Sequence, residues 1–350
     1  MTIRVFAYLC ILCPFGLRAD GGYAFTSFDV PGAGTGTGQG TFAVSVGDST
    51  GTTGWYIDGR NNQHGFVRGP GGSITSFDVP GLVYKTTPLS INTAGDIAGY
   101  YFNQQASDTE TGFVRTADGT FTTFVVSYSA IHTSPRNINT SGIVTGWWAN
   151  CCVGVAFQGF VRATDGTITI FDAPGAGTGN YQGTVPSALN DAGTISGCYF
   201  DTSSVEHGFV RAVDGTITNF DAPGAAATCA LSINADGAIA GYFVDAASVH
   251  HGFTRAADGT IATFDAPKAG SGANQGTMAM SIDGTGAIAG YYIDASDRYH
   301  GFVRAANASI TTFEVASARD TLGMGINNLG AVAGYYSDTS GVSHGFLLIP

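Results

Sequence analysis

The sequence predicts an all-β fold: a seven-bladed β-propeller of four-stranded antiparallel blades, its ring closed by the N-terminal strand completing the last blade. Three observations predict it. A His-Gly-Phe-Val-Arg motif or a recognisable variant puts glycine at 65, 112, 159, 208, 252, 301 and 345, seven copies spaced 44 to 49 residues apart. A period of that size marks an array of small supersecondary units. Within each copy, runs of about five residues, an ordinary strand length, alternate with turn signals. Finally, residues 24–30 copy the outermost strand of a unit, while the last unit, ending at residues 344–350, lacks one. Radial stacking leaves only short, protected edges. A membrane barrel needs strands of about 9 to 11 residues, longer than this turn spacing allows, and a solenoid needs terminal caps.

Taken in order, the chain opens with Arg4, an apolar run over residues 5–16 and Leu17-Arg18-Ala19. This reads as a signal peptide over residues 1–19, with the mature chain starting near Asp20 and the protein secreted or periplasmic. The run is too short for a membrane span. Cys10 and Cys13 leave with the signal, so Cys151, Cys152, Cys198 and Cys229 meet an oxidising compartment. The adjacent Cys151 and Cys152 suit either a vicinal disulfide or an unpaired loop pair.

One repeat domain fills residues 24–350, because each unit must bury its apolar face on its neighbours. The clearest copy has strands at 230–234, 238–243, 252–255 and 261–264. Asp-Gly, at 118, 165, 214 and 258, links the third and fourth strands; Asp tolerates positive φ and Gly takes it freely. If Asp-Gly is a two-residue loop, Phe253 pairs with Phe264, Phe113 with Phe124 and Phe160 with Phe171. Asn-x-x-Gly, starting at 92, 139, 190, 234 and 327, marks the first hairpin, where Asn closes an Asx turn.

Charged residues are 11% of the chain and the net charge is -12. Six of the fourteen Lys and Arg are the repeated Arg68, Arg115, Arg162, Arg211, Arg255 and Arg304, so no basic patch exists for nucleic acid. The repeated arginines read as stems packed between blades with the head on a carbonyl or carboxylate.

Ser-Ile-Asn, Gly-Tyr-Tyr, His-Gly-Phe-Val-Arg and Phe-Asp-x-Pro-Gly together resemble the bacterial extracellular repeat proteins of the HAF family, over nearly the whole mature chain. The resemblance implies secretion and repetition, and no particular activity.

Histidine is the usual first candidate for catalysis or metal binding, yet His64, His207, His251, His300 and His344 share one repeat position, each six residues after Asp58, Asp201, Asp245, Asp294 and Asp338. Elsewhere both partners are lost together, Thr111 with Asn103 and Gln158 with Asn150. A direct Asp-His hydrogen bond holding the fold follows. Trp55, Trp147 and Trp148 read as inter-blade core rather than sugar platforms. No Asp-x-Asp-x-Asp-Gly run, zinc ligand spacing, Gly-x-Ser-x-Gly elbow or phosphate loop occurs, so no cofactor or metal is expected.

Function is sought where a copy departs from its siblings, on loops grafted onto the repeat. Three connections, residues 32–41, 175–184 and 268–277, share Gly-x-x-Gln-Gly-Thr; others carry Tyr84, Lys85, Tyr128, His132, Arg136, Arg319 and Asp320. Tyr84, Lys85, His132, Arg136, Tyr181, Gln182 and Arg319 are the candidate ligand-binding residues, with Tyr181 and Gln182 suited to stack on and hydrogen-bond a glycan. The predicted function is a non-catalytic binding scaffold for an extracellular protein or polysaccharide. The alternative is a carbohydrate-active hydrolase or lyase. Its non-repeated acids are few, Asp108, Glu110, Glu206, Asp297 and Asp320, and Asp320 alone lies near the axis as catalytic candidate.

Overall fold

The protein is described by a computed structural model covering residues 23–350 apart from 50, 82, 104–108 and 151–155. The signal segment, Asp20, Asp108, Cys151 and Cys152 lie outside the described residues. The described chain has 28 strands and no helix. After the lone strand Ala24–Phe28 come six quartets, over residues 40–77, 83–124, 130–171, 183–220, 227–264 and 276–313, and a final triplet over 320–349. These are units 1 to 7.

Within a unit consecutive strands pair antiparallel. In unit 5, Ala227–Ile233 pairs with Ile239–Val244, that with His250–Arg255, and that with Ile261–Phe264. The Asp-Gly turn is longer than two residues, and this corrects the expected register. Arg255 faces Ile261, Ala256 N–H donates to Thr260 O (2.8 Å), and Gly259, at φ 94°, returns its N–H to Ala256 O (2.9 Å). Asp258 spends its carboxylate on the Thr260 N–H (2.8 Å). The turn therefore carries an extra left-handed residue, and a one-residue shift exchanges faces. Phe264 lies opposite Gly252, and Phe253 opposite Thr263.

That register explains the repeated glycine. A Cβ on Gly252 would stand 2.7 Å from the Phe264 ring, so the fourth-strand phenylalanine is seated over a residue without a side chain. The third-strand phenylalanines, Phe66, Phe113, Phe160, Phe209, Phe253, Phe302 and Phe346, are fully buried. Each meets the outer phenylalanine of the preceding unit edge-on, as Phe220 meets Phe253 (5.9 Å between centroids) and Phe264 meets Phe302 (6.1 Å). The repeated arginines cover the same outer rings, for example Arg255 over Phe220 at 4.9 Å, and Arg115, Arg162, Arg211 and Arg255 donate Nη1 to the next carbonyl (3.3 to 3.4 Å). Edge-to-face rings and stacked cations each add to plain area burial.

The chain ends take part in this pattern. Ala24–Phe28 pairs antiparallel with Ser343–Ile349, Ala24 opposite Ile349 and Phe28 opposite Gly345. Phe28 lies 5.9 Å from Phe66 and Arg68 lies 5.1 Å over Phe28. The first strands of successive units touch in turn, and that of unit 7 touches that of unit 1.

Below the axis, at the end of the first strands, the Asn-x-x-Gly asparagines form a belt around a cavity of about 330 Å³. Each Oδ1 caps its own turn while Nδ2 crosses to the next unit: Asn92 to Asn139 O (3.0 Å), Asn190 to Asn234 O (3.0 Å), and Asn327 to Gly47 O (2.9 Å). The asparagine thus joins units as well as closing its turn, a role outside the Asx-turn reading.

Candidate functional site

On the opposite, loop-bearing face, each unit's first strand begins beside the start of the preceding unit's third strand. At three junctions the first-strand residue is a glycine at positive φ, Gly40 (111°), Gly183 (114°) and Gly276 (115°), where a Cβ would collide with the carbonyl of Ser343, Phe157 or His250. These are the junctions reached through the Gly-x-x-Gln-Gly-Thr loops. Where the connection lacks that loop, a side chain takes the position. Lys85 bridges to Gln63, His132 to Glu110, and Asp320 accepts the Tyr299 N–H (3.3 Å). Bulges between Val83 and Lys85 and between Ala130 and His132 make the room.

The structure gathers five of the seven predicted ligand residues around units 2, 3 and 4. In unit 2 the Lys85 ammonium stands 5.0 Å over Phe102 and 5.8 Å over Tyr100, with Tyr84 6.0 Å from Phe102. In unit 3, His132 (5.9 Å) and Arg136 (5.7 Å) both approach the Trp147 ring. Trp147 meets Phe157 edge-on at 4.9 Å, and Phe157 leads to Tyr181 at 6.4 Å. Tyr181 is 71% exposed. Its φ is 59°, where the sibling loops have Gly38 and Asn274; a tyrosine held in this region is strained.

Glu110 anchors the cluster from beneath. It is 6% exposed; one oxygen accepts from His132 Nδ1 (3.3 Å) and the other has no partner among the described residues. The Trp147 Nε1–H is likewise buried without one. Buried polar atoms are seldom left unmet. Burial and the nearby Glu110 charge push the Tyr100 hydroxyl up, against a hydrogen bond with Thr87 and the Arg136 charge.

Arg136 has its own geometry. Every first strand bulges, and the residue skipped in the ladder is Val44, Leu89, Ser187, Leu231, Met280 or Met324 in the other units. These residues and Arg136 line a cavity of about 170 Å³ on the axis. Burial pulls the Arg136 guanidinium down while Tyr100 and Glu110 oppose this.

The remaining predicted residues lie elsewhere or are committed. Gln182, proposed to meet a glycan, is a loop brace: its Oε1 accepts from Gly179 N–H (2.9 Å) and its Nε2 donates to Thr202 O (3.0 Å) and Ser204 (3.1 Å). Gln39 and Gln275 brace their loops alike, each oxygen accepting a glycine N–H at 2.9 Å. Arg319 belongs to a separate cluster at unit 7. Asp320, the catalytic candidate, faces Arg298 with one oxygen (3.4 Å) and Arg319 with the other (3.4 Å), and Arg298 also donates to Arg319 O. This is an ion-pair anchor, and among the described residues no second carboxylate pairs with the same arginines. Tyr128 is exposed on the surface.

The repeated histidines have a closer partner than the expected one. His251 Nδ1 meets Asp265 at 2.9 Å, the aspartate of Phe-Asp-x-Pro-Gly, whereas Nε2 is 3.5 Å from Asp245. His64, His207 and His344 repeat this with Asp78, Asp221 and Asp29 at 2.8 to 3.0 Å, against 3.5 to 3.7 Å to Asp58, Asp201 and Asp338. Only His300 makes a 3.1 Å bond to its loop aspartate, Asp294, and its other nitrogen takes Glu314 (3.1 Å). The loop aspartates serve chiefly as turn caps: Asp245 Oδ1 accepts from Ala247 (2.8 Å) and Val249 (2.9 Å). Burial works against ionisation of Asp58, but the amides of Asn62 and Arg60 and the His64 contact outweigh it and hold the carboxyl at about 2.

Cys198 and Cys229 form a disulfide that ties unit 4 to unit 5. Glu206 lies beside it, grouped with the two sulfurs within 4.8 Å. Bonded to each other, these sulfurs are not thiolate ligands.

Sequence reasoning weighed Glu110 as a non-repeated acid but passed it over for Asp320, missed Tyr100, Phe102 and Phe157 as site residues, and read Trp147 as core. One signal was available: Glu110 precedes His132 by the same 22 residues that separate Gln63 from Lys85.

Among the described residues no helix is long and apolar enough to cross a membrane. No family model matches the sequence, and no curated protein matches it. Among solved structures the chain is similar to a streptogramin B lyase, with TM-score 0.59 and 14% identity over 94% of this chain and 98% of that one. It is also similar to virginiamycin B lyase from Staphylococcus aureus (0.58, 15%, 94% and 100%). The six-bladed β-propeller lectin of Aleuria aurantia aligns at TM-score 0.45 and 11% identity over 83% and 97%. At such identities the likeness is one of fold, an all-β propeller-like architecture.

Proposed function

We propose that this chain is a secreted, non-catalytic binding protein of the HAF repeat type, built as a closed ring of seven four-stranded blades, that takes a glycan on its loop face at units 2, 3 and 4. The observation that carries the reading is the aromatic path from Trp147 through Phe157 to the exposed Tyr181, flanked by Lys85 and His132. Sugars present apolar faces and hydroxyl edges, and amphipathic aromatic rings beside a few polar groups suit both. Strained Tyr181 in place of Gly38 supports a role beyond loop closure. The ring is supported by Phe28, Arg68 and Asp29, which contact units 7 and 1 just as their equivalents contact neighbours inside the chain.

A carbohydrate-active enzyme is the second reading, favoured by the His132–Glu110 bond, which would orient an imidazole as general base. A glycan array and an activity screen on one purified sample separate the two. Specific binding without turnover, lost in Tyr181→Ala, supports the binding protein. Turnover abolished by Glu110→Gln or Asp320→Asn supports the enzyme, and a folded protein that binds no glycan contradicts the first reading.

A further inference from the structure

We propose that the glycan is acidic, of the uronate type, and that Arg136 on the channel axis receives its carboxylate. The proposal deepens the binding reading above and rests on it. Seven structurally equivalent bulge positions line the axis, and Arg136 is the one that carries a charge. Most other arginines of the described chain are committed: the repeated set stacks on the outer phenylalanines, with Arg115, Arg162, Arg211 and Arg255 also donating to main-chain carbonyls, and Arg298 and Arg319 share Asp320, while Arg60 is exposed on a loop away from the axis. Arg136 makes no hydrogen bond or ion pair with a described residue; it rests against the face of Trp147 at 5.7 Å. The guanidinium is half-buried at the axial cavity with the Glu110 carboxylate nearby but not hydrogen-bonded to it, so its donors are open to a ligand, and the planar fork matches a carboxylate with two parallel hydrogen bonds.

Two further observations select a carboxylated sugar over a free anion. The path Trp147, Phe157, Tyr181 runs from the Arg136 side of the cluster to the surface, giving platforms for successive rings. Lys85 stands at the adjoining junction over Tyr100, a second cation for a second carboxylate. In a chain of net charge -12, Lys85 and Arg136 outnumber the nearby Glu110 carboxylate and locally oppose the general repulsion of a polyanion.

The test is calorimetric titration of the full chain with trigalacturonate, its methyl ester and inorganic phosphate. Arg136→Leu is a fold-safe variant because Leu89 and Leu231 hold the equivalent position. Trigalacturonate should bind at least about tenfold more tightly than the ester, phosphate should not compete, and Arg136→Leu should weaken trigalacturonate at least about fivefold more than it weakens the ester. Equal binding of acid and ester overturns the carboxylate assignment but leaves the glycan reading standing. Competition by phosphate assigns Arg136 to free anions and overturns it too. Absence of binding by both saccharides, in a protein that unfolds cooperatively and binds another glycan on the array, overturns the uronate assignment alone, whereas binding to no glycan at all removes the glycan reading itself.

Discussion

At the residue scale, the chain spends stability at two places. Tyr181 occupies left-handed backbone at φ 59° and leaves its ring in solvent, whereas the sibling loops have Gly38 and Asn274 there, residues that take this region more readily. Tyr181→Gly should therefore stabilise the fold by about 1 kcal/mol while weakening glycan binding; a variant that loses stability, or keeps full affinity, speaks against a binding role. Glu206 is half-buried beside Tyr242, whose hydroxyl donates to it (3.2 Å). Burial, opposed by that bond, pushes its carboxyl up to about 7. The folded state then binds a proton the unfolded state has released, so stability falls as pH rises from about 4.5 through 7. Glu206→Gln should gain about 1 to 3 kcal/mol at pH 8 and nothing at pH 4, read from thermal unfolding at both. Asp58 works with the opposite sign: held at about 2, its contribution is present above the ordinary carboxylate value and is lost as pH falls toward 2.

At the element scale, most of the architecture was legible because each strand announces itself in period and punctuation. The Asn-x-x-Gly hairpin, the third-strand phenylalanine and the His-Gly step all sit where the copies place them. The Asp-Gly register was not legible, since Asp-Gly serves two-residue and longer loops equally well; only the seating of Phe264 over Gly252 decides between them. Gly252→Ala should accordingly cost about 1 to 3 kcal/mol through overpacking against that ring, with circular dichroism unchanged in shape. A neutral result would mean that the ring is free to move aside. The histidine partner was missed for a related reason: the six-residue spacing to Asp245 is visible in the sequence, but the closer Asp265 is brought near only by the true register.

At the scale of the whole molecule, the ends and the site are both matters of neighbours distant in sequence. Ala24–Phe28 covers the edge of Ser343–Ile349 and places Phe28 over Gly345. Deleting residues 20–31 should lower the melting temperature and promote association through the uncovered edge, more than trimming a free terminus does; a monomeric truncation with unchanged melting would contradict the closed ring. The site was half legible. Lys85, His132, Arg136 and Tyr181 stood out as departures from the repeat, but Glu110 and Trp147 fill ordinary strand positions and acquire meaning only where units 2 and 3 meet. Gln182 misled because a conserved-looking amide in a loop reads the same whether it faces a ligand or its own backbone. The most direct measurement is the location of a bound glycan in a co-crystal structure. The account predicts sugar rings along Trp147, Phe157 and Tyr181 with Lys85 and His132 at their edges; a ligand seated at Arg319 and Asp320, or in the asparagine-lined cavity on the other face, would contradict it.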